Sequence, residues 1–274
     1  MALRSLFGRF VIILAAASLA FGAYQQALHR GDRPSKRDAV TILQVGQGDC
    51  ILLESNGRFA LVDTARKNDQ VDLTQRLVVP ELLKRKVKTL EAVLLTHPDD
   101  DHIGGFDTLQ RFFRIGKVVY AEHFAEDIQV RGVNRMLIQS SKVLQFGDLT
   151  LWVWAPPQEL GEGDNAGSLV ILVSGKSGGV LLTGDLPVEK EELLLSHIPH
   201  RRVDVLKAGH HGSGSSTGWG LLRTLKPKTV VFSCGRNNPF GHPNAEVVAR
   251  CATLKIPTWT TAQSGSFEFV AGDP

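Results

Sequence analysis

The chain has 274 residues, of which 43% are hydrophobic, 7% aromatic and 22% charged. This composition excludes disordered, collagen-like and coiled-coil proteins and is typical of a globular protein. The formal charge is +3, but residues 1–38 hold six Lys or Arg against two Asp and so carry +4, which leaves −1 on residues 39–274. The globular part therefore has no overall charge that would attract polyanions.

The N-terminus has the pattern of a targeting segment. Arg4 and Arg9 precede an apolar run, Phe10–Tyr24, which is short for a membrane span but has the length of a signal-peptide core. Candidate cleavage points follow Ala20 and Gly22. We expect export to the periplasm or the exterior, and anchoring in the cytoplasmic membrane remains the alternative. The predicted organisation is a signal peptide or anchor over 1–24, a basic linker over 25–38 and a globular domain over 39–274.

Beyond residue 38, short apolar or alternating runs predict strands and helically spaced runs predict helices. The predicted strands are Ala39–Val45, Cys50–Glu54, Phe59–Val62, Glu91–Thr96, Val118–Tyr120, Lys142–Phe146, Thr150–Trp154, Ser168–Val173, Val180–Thr183, Val203–Lys207, Thr229–Ser233, Thr258–Thr260 and Ser266–Val270. The predicted helices are Leu73–Lys84, interrupted by Pro80, and Gly104–Phe113, Val188–Leu195, Trp219–Leu225 and Ala245–Leu254. Two runs of mostly antiparallel strands, each followed by strand–helix units, predict an α/β (α+β) fold with two packed sheets and outer helices.

Seven residues of reactive types have no setting that indicates chemistry. The cysteines form no CxxC pair and lie in apolar runs, so we expect small buried side chains. We expect the four histidines among these seven to be surface or linker residues. These seven are Cys50, Cys234, Cys251, His29, His123, His197 and His200.

Polar side chains gather where one predicted strand ends. Thr96 is followed by His97-Pro98-Asp99-Asp100-Asp101-His102, which offers two imidazoles and three carboxylates within six residues. The chain has no Lys or Arg between Lys88 and Arg111 to offset these carboxylates. A bound metal is the economical counter-charge, although acidic triplets are also common on solvated loops.

Three more polar groups follow buried strands. They are Gly184-Asp185, the segment Gly209-His210-His211-Gly212-Ser213, and Gly241-His242-Pro243. Four such groups at strand ends favour one site over four unrelated loops.

These motifs resemble a known family. The segments that carry the resemblance are, in chain order, Leu43–Asp49, Leu95–Gly105, Asn165–Leu169, Leu182–Leu186, Leu206–Ser213, Gly235–Asn238 and Gly241–Pro243. They are similar to the C-terminal metallo-hydrolase domain of the ComEC competence proteins, which import DNA, within the metallo-β-lactamase superfamily. The resemblance extends over about Val40–Phe269. It implies an αββα sandwich of two mixed β-sheets with outer helices, a metal site at one edge, and phosphodiester hydrolysis with DNA as a candidate substrate.

The resemblance also implies a ligand set for one or two divalent ions. The expected ligands are His97, Asp99, Asp101, His102, Asp185 and His211. Asp99 replaces the middle histidine that many members carry, and no histidine between His123 and Asp185 supplies the usual third imidazole. We therefore expect an oxygen-rich first site, with Asn165 and Ser168 as partial substitutes, and Zn²⁺ or Mn²⁺ as the ion.

The remaining roles follow from the chemistry of such a site. Two bridged ions would lower the pKa of a water so that hydroxide attacks phosphorus. Whichever histidine of the His210–His211 pair does not bind metal would be a general acid. The full set of catalytic candidates is Asp101, His210 and His242, and the substrate-binding candidates are Ser213, Arg236 and Asn238. Asp49 is expected either to orient a metal ligand or simply to form a turn.

Other functions remain open at this point. The domain could hydrolyse a phosphodiester of an envelope polymer, or a lactone or thioester, because this fold hosts many reactions. A non-enzymatic scaffold that binds an envelope partner is the contrasting hypothesis, favoured only by the altered first site. The expected partners are a phosphodiester substrate, DNA being the candidate, and a membrane contacted through the N-terminal segment.

Overall fold

The computed structural model describes residues 37–159 and 163–272. The predicted signal peptide or anchor and residues 25–36 of the linker lie outside the described residues. Within the described ranges, no helix is long and apolar enough to span a membrane.

Sixteen strands are described. They are β1 Asp38–Ile42, β2 Ile51–Ser55, β3 Arg58–Val62, β4 Thr89–Leu90, β5 Ala92–Leu94, β6 Arg114–Ile115, β7 Lys117–Ala121, β8 Asn134–Ile138, β9 Ser141–Phe146, β10 Leu149–Trp154, β11 Val170–Gly175, β12 Gly178–Leu182, β13 Val205–Lys207, β14 Thr229–Phe232, β15 Thr258–Thr260 and β16 Phe267–Val270. The α-helices are α1 Val79–Lys84, α2 Asp100–Ile103, α3 Phe106–Phe112, α4 Val188–His197, α5 Trp219–Leu225, α6 Ala245–Thr253 and α7 Thr261–Ser264. A π-helical turn over Thr74–Val78 precedes α1, and 3-10 turns cover Glu122–Phe124, Asp164–Gly167 and Gly209–Gly212.

The strands form two seven-stranded mixed sheets. One has the order β16-β1-β2-β3-β5-β7-β8 and the other the order β15-β14-β13-β12-β11-β10-β9. In each sheet an antiparallel half adjoins a parallel half, which comprises β3, β5, β7 and β8 in the first sheet and β12 to β15 in the second. The predicted sandwich of two mixed sheets with helices is confirmed.

Both faces of the second sheet are buried, and the alternation along β10 shows how. Leu151 and Val153 belong to the core cluster shared with the first sheet. Trp152 and Trp154 belong to a second cluster with the outer helices α4, α5 and α6. Since successive side chains of a strand point to opposite faces, this sheet separates two apolar layers, as the sandwich requires. All three cysteines are free and buried, as expected.

Several element boundaries differ from the predictions. β1 ends at Ile42, and the predicted helix 104–113 is observed as α3, which begins two residues later, after the separate short helix α2. Between the two helices, Gly105 packs against Thr64 and Thr74 where a Cβ would collide. The predicted helix 73–84 begins as a π-turn, in which the Val79 N–H donates to the Thr74 carbonyl just before Pro80. The strands β4, β6 and β8 were not predicted, since two have only two residues and β8 is an exposed edge strand without clear alternation.

The parallel strands fix the position of the polar loops. Asp63 directly follows β3, and the other residues come three residues after the ends of their strands: His97 after β5, Asp185 after β12 and the histidine pair, beginning at His210, after β13. The carboxyl ends of neighbouring parallel strands meet at one edge of a sheet, so these residues converge.

One buried carboxylate ties helix α4 to the loop beyond the histidine pair. Glu191 accepts hydrogen bonds from the backbone N–H of Thr217 at 2.5 Å and of Gly218 at 2.9 Å. Glu191→Ala should lower the free energy of unfolding by about 2–4 kcal/mol, because two buried donors lose a charged acceptor. Denaturant titration measures this. Glu189→Ala, an exposed change in the same first turn, is the control. Equal loss in both variants would contradict the anchoring role.

Candidate metal centre

Three side chains come together at the spacing of metal ligands, and a fourth adjoins them. The Nε2 atoms of His102 and His211 are 3.3 Å apart, and they lie 3.4 and 3.6 Å from the two carboxylate oxygens of Asp185. An Asp101 oxygen is 3.4 Å from His211 Nε2. Ligands about 2.1 Å from a zinc ion in a tetrahedron are about 3.4 Å from each other. The spacing of His102, His211 and Asp185 therefore matches ligands of one ion, with Asp101 beside them.

A second group of ligand atoms adjoins the first through Asp185. His97 Nε2 lies 3.4 Å from an Asp99 oxygen and 3.9 Å from Asp185 Oδ2. His210 Nε2 lies 3.7 Å from the same Asp185 oxygen. The structure thus brings together all six predicted ligands and adds His210 to the second group, where it stands in the place of the imidazole that the sequence lacks. Asp185 is shared by both groups.

Hydrogen bonds aim the imidazoles at this centre. His102 Nδ1 donates to Asp63 at 2.8 Å, and His211 Nδ1 donates to the Ser233 carbonyl at 3.0 Å. His97 Nδ1 contacts the Thr96 hydroxyl at 3.0 Å. Because each Nδ1 is engaged, each Nε2 presents its lone pair to the centre, which is the usual arrangement around a bound metal.

Asp63 is a functional residue that the sequence analysis missed. It is fully buried, has a left-handed backbone (φ 58°) and accepts hydrogen bonds from the N–H and hydroxyl of Thr96 as well as from His102. It links the loops after β3 and β5. Its position directly after a buried apolar strand, the same signal that marked Asp185, could have identified it.

The electrostatics of the site favour a cation. Burial alone would lower the pKa of His102, but the carboxylates of Asp185 and Asp63 raise it well above its ordinary value. Burial likewise opposes protonation of His211, yet Asp185 and Asp49 raise its pKa to about 9. The pKa of Asp185 is shifted in the other direction. Burial favours its neutral form, but His102 and His211 hold its pKa well below the usual range. The carboxylates thus attract positive charge, which a divalent ion would supply while leaving the histidines neutral.

Unsatisfied atoms support the same conclusion. Among the described residues, His97 Nε2, Asp185 Oδ1 and Asp49 Oδ1 are buried side-chain atoms without a hydrogen-bond partner. Buried polar atoms in proteins are nearly always paired. All three atoms face the two ligand groups, so the residues present fit divalent metal ions.

Lys207 is a second missed residue, and it balances Asp49. Its side chain is completely buried, pairs directly with an Asp49 oxygen, donates to the Gly184 carbonyl at 3.2 Å and lies 3.8 Å from Asp185. Burial would lower the pKa of Lys207, but Asp49 and Asp185 raise it. Asp49 belongs to a cluster of potential ligands with His102, Asp185 and His211. Asp49 is already neutralised by Lys207, and its other oxygen is 3.5 Å from His211 Nδ1, so it would support the ligand His211.

The histidine pair lies on an unusual turn. His210 and His211 both have left-handed backbones (φ 47° and 55°), which is uncommon for residues other than glycine. Gly209 on one side donates to the Thr217 hydroxyl and accepts from the Ser216 hydroxyl. The turn points the two rings to different ligand groups, at 70° to each other.

His242 lies at the rim of this centre. Its ring is 5.8 Å from that of His210 and 6.4 Å from that of His211, and its Nδ1 is buried without a hydrogen-bond partner among the described residues. Burial lowers its pKa. Phe240, which the sequence analysis did not single out, stacks on His242 at 5.6 Å and is 57% exposed.

The three predicted substrate-binding side chains have other contacts in the structure. Asn238 uses its amide to bind the carbonyls of Gly235 and His242 and to accept from the His242 N–H, so it organises the loop that carries His242. The Arg236 guanidinium donates to the Ala262 carbonyl. The Ser213 hydroxyl contacts that of Ser215, and its N–H donates to the His210 carbonyl. These contacts hold the loops around His210 and His242 in position.

The residues predicted to support the metal ligands also make defined contacts. The Ser168 hydroxyl accepts from the Asp185 N–H at 3.1 Å and so holds the shared carboxylate in place. Asn165 contributes its backbone carbonyl, which accepts a hydrogen bond from the Ser168 N–H. His123, expected at the surface, is half-buried and contacts the Gly167 carbonyl at 3.0 Å, which anchors this turn. His197 is exposed, as expected, and one of its faces stacks on the buried Trp154 at 5.3 Å.

Comparison with known proteins agrees with this site. The family model described as the metallo-β-lactamase superfamily matches residues 43–234. The chain belongs to that superfamily. It is 30% identical over 258 residues to ComE operon protein 3 of Bacillus subtilis, a match that covers 86% of this chain and 33% of that protein. It is 29% identical to competence protein ComA of Neisseria gonorrhoeae, covering 87% of this chain and 33% of that protein.

These matches confirm the predicted resemblance to the competence proteins, although the chain spans only about a third of the length of either relative. Among solved structures, the metallo-β-lactamase fold protein YhfI from Bacillus subtilis is similar with a TM-score of 0.59 and 14% identity. That match covers 85% of this chain and all of YhfI, and it supports the fold.

The Lys207–Asp49 pair makes a specific prediction for the metal-free protein. Lys207→Met should lower the free energy of unfolding by about 3–5 kcal/mol, because it leaves a buried carboxylate unpaired. The double variant Asp49→Asn/Lys207→Met should recover much of this loss, since neither charge remains. Urea unfolding in the presence of a chelator measures both. Losses that simply add in the double variant would contradict direct pairing.

Proposed function

We propose that this domain is a metal-dependent phosphodiesterase that acts on nucleic acid, as a finer assignment within the hydrolase chemistry that its superfamily and metal site indicate. The observation that carries the proposal is the pair of ligand groups sharing Asp185 at one sheet edge. Two adjacent divalent ions suit the in-line displacement of a phosphodiester, because they neutralise charge on the attacking and leaving oxygens and acidify water.

The chain's own residues would act as follows. Asp101, His102, Asp185 and His211 hold one ion, and His97, Asp99, His210 and Asp185 hold the other. Each set combines two imidazoles with two carboxylates, which suits Zn²⁺ and also tolerates Mn²⁺. Both histidines of the pair are then ligands, so His242 takes the polar role beside the substrate. At neutral pH its ring is uncharged and can donate an N–H to a phosphoryl oxygen.

The rim of the site favours a nucleotide over an acyl substrate. A lactam or thioester needs an apolar pocket beside the metals, and the loop Gly212–Gly218 is composed of glycine, serine and threonine. Phe240 offers an exposed aromatic face next to His242, and bases stack on such faces regardless of sequence. Residues 39–274 carry only −1 overall, so attraction to the phosphate backbone of a nucleic acid supplies little affinity. Stacking of a base on Phe240 would add to it.

Metal retention tests the shared role of Asp185. Elemental analysis of the purified protein after dialysis should find one or two Zn²⁺ or Mn²⁺ per chain. Asp185→Asn should lose most of this metal, because both ligand groups lose a carboxylate. Asp107→Asn, an exposed aspartate in the first turn of α3, serves as the control. Full metal content in Asp185→Asn would refute the sharing.

The reaction class is tested by turnover. The metal-loaded protein should hydrolyse bis(p-nitrophenyl) phosphate and single-stranded DNA, and His242→Gln should lower the rate by about 10²–10³-fold with metal content unchanged. The exposed His200→Gln is the matched control. Hydrolysis of a lactam, lactone or thioester with no phosphodiester turnover would overturn the proposal. Metal binding without any turnover would favour the scaffold hypothesis.

Export through residues 1–24 remains a proposal from the sequence, because those residues lie outside the described ranges. DNA as the substrate is likewise a proposal.

A further inference from the structure

A strongly basic surface lies away from the metal centre. Three adjoining cavities share lining residues: Arg201 and Arg202 line the first and second, and Lys226 and Lys228 line the second and third. We call this surface the basic end, and its cationic side chains are Lys176, Arg201, Arg202, Arg223, Lys226, Lys228 and Lys255. All seven are exposed.

The basic end has a large surplus of positive charge. Asp204 is the only carboxylate among the lining residues of these cavities, and it is 3% exposed. It pairs with Arg202 at 2.6 Å and with Lys228 at 3.2 Å. Residues 39–274 carry −1 in total, so the positive charge at the basic end is offset by negative charge elsewhere in the domain. The net charge therefore gives no indication of this surface.

The basic end and the metal centre lie at opposite ends of the same strands. Arg201 and Arg202 precede β13, Lys226 and Lys228 precede β14, and Lys255 precedes β15. The metal ligands follow β12 and β13, which run parallel to β14 and β15. The five residues of β12, which lie between Lys176 and Asp185, span about 16 Å, so a polyanion bound at the basic end is held away from the metal ligands.

The described chain also begins beside this surface. The Asp38 carbonyl, at the start of β1, accepts from the Ala271 N–H at 2.8 Å, and the Ala271 carbonyl accepts from the Ser177 N–H at 3.0 Å. Ser177 follows Lys176 and lines the same cavity. The 36 residues before Arg37 contain the apolar run Phe10–Tyr24 and add further basic residues. The described part of the chain therefore starts beside the basic end.

Apolar side chains are interspersed with the charges. Leu222, Pro227, Leu254, Ile256 and Pro257 line the third cavity together with Arg223, Lys226, Lys228 and Lys255. A mixture of cationic rims and an apolar floor suits lipid headgroups with their adjoining acyl chains.

We propose that the basic end docks on an anionic lipid surface and holds the metal centre facing away from it. Nucleic acid is the competing polyanion, but the position of the surface opposite the metal ligands and beside the chain entry favours lipid. Each Lys or Arg near an anionic membrane increases binding several-fold, so seven of them can orient a domain that an N-terminal segment already brings close. This inference does not depend on the reaction that the metal centre catalyses.

The test uses the full chain with vesicles of phosphatidylcholine, with and without phosphatidylglycerol. Wild type should bind the anionic vesicles more tightly, and the preference should fall at high salt. Lys226→Glu/Lys255→Glu should weaken anionic binding at least about 30-fold. These lysines have no ion pair within the described part of the chain. The control, Arg135→Glu/Lys142→Glu, makes the same charge change at exposed positions on β8 and β9 and should bind like wild type.

Hydrogen exchange provides a second measurement that the N-terminal segment cannot mask. On anionic vesicles, amides over 199–204 and 226–228 should exchange more slowly in wild type and in the control, but not in Lys226→Glu/Lys255→Glu. Equal partitioning of all three proteins with no protection would overturn the proposal. Protection of these segments by a single-stranded oligonucleotide but not by vesicles would also overturn it and assign the surface to nucleic acid.

Discussion

The burial of carboxylates without enough positive charge is the constraint on which this site depends. Asp185, Asp49 and Asp63 are all nearly inaccessible to solvent, and a buried unpaired carboxylate is very unfavourable. Lys207 neutralises one, and the histidines share protons with the others. The remaining deficit of positive charge falls between the two ligand groups. The protein thus encodes its need for divalent ions in its charge balance as well as in its ligand geometry.

The sandwich fold makes this concentration of charge possible. Parallel strands in both sheets end at the same edge, so loops far apart in sequence deliver side chains to one place, while the antiparallel halves complete the core. The Gly-rich turn after β1 shows how closely the loops pack, since a Cβ on Gly48 would collide with the Asp101 carbonyl (φ of Gly48 is 125°). Rigid strands therefore fix the loops that carry the chemistry.

Much of this architecture could be predicted from sequence. The apolar runs located most strands, and the motifs at strand ends located the six expected ligands. The role of Lys207 could not be predicted, because this residue lies within an apolar strand. Only the three-dimensional packing places its ammonium group against Asp49. The contribution of His210 depends on the left-handed turn at the pair, which sequence does not reveal. The hydrogen bonds of Asn238 and Arg236 within their loop could not be predicted, because polar loop residues look alike in sequence until their partners are known. The short strands β4 and β6 lack enough residues for any periodicity.

The left-handed turn at His210 and His211 has a thermodynamic consequence. In a regular strand, neighbouring side chains point to opposite faces, and here two successive left-handed residues instead direct neighbouring rings into adjacent halves of one centre. Such backbone is maintained only when its surroundings enforce it. An ion held by one histidine would restrict the backbone that carries the other. Occupancy of the two halves would therefore be linked, and by reciprocity an ion in either half would change the affinity of the other half by the same factor.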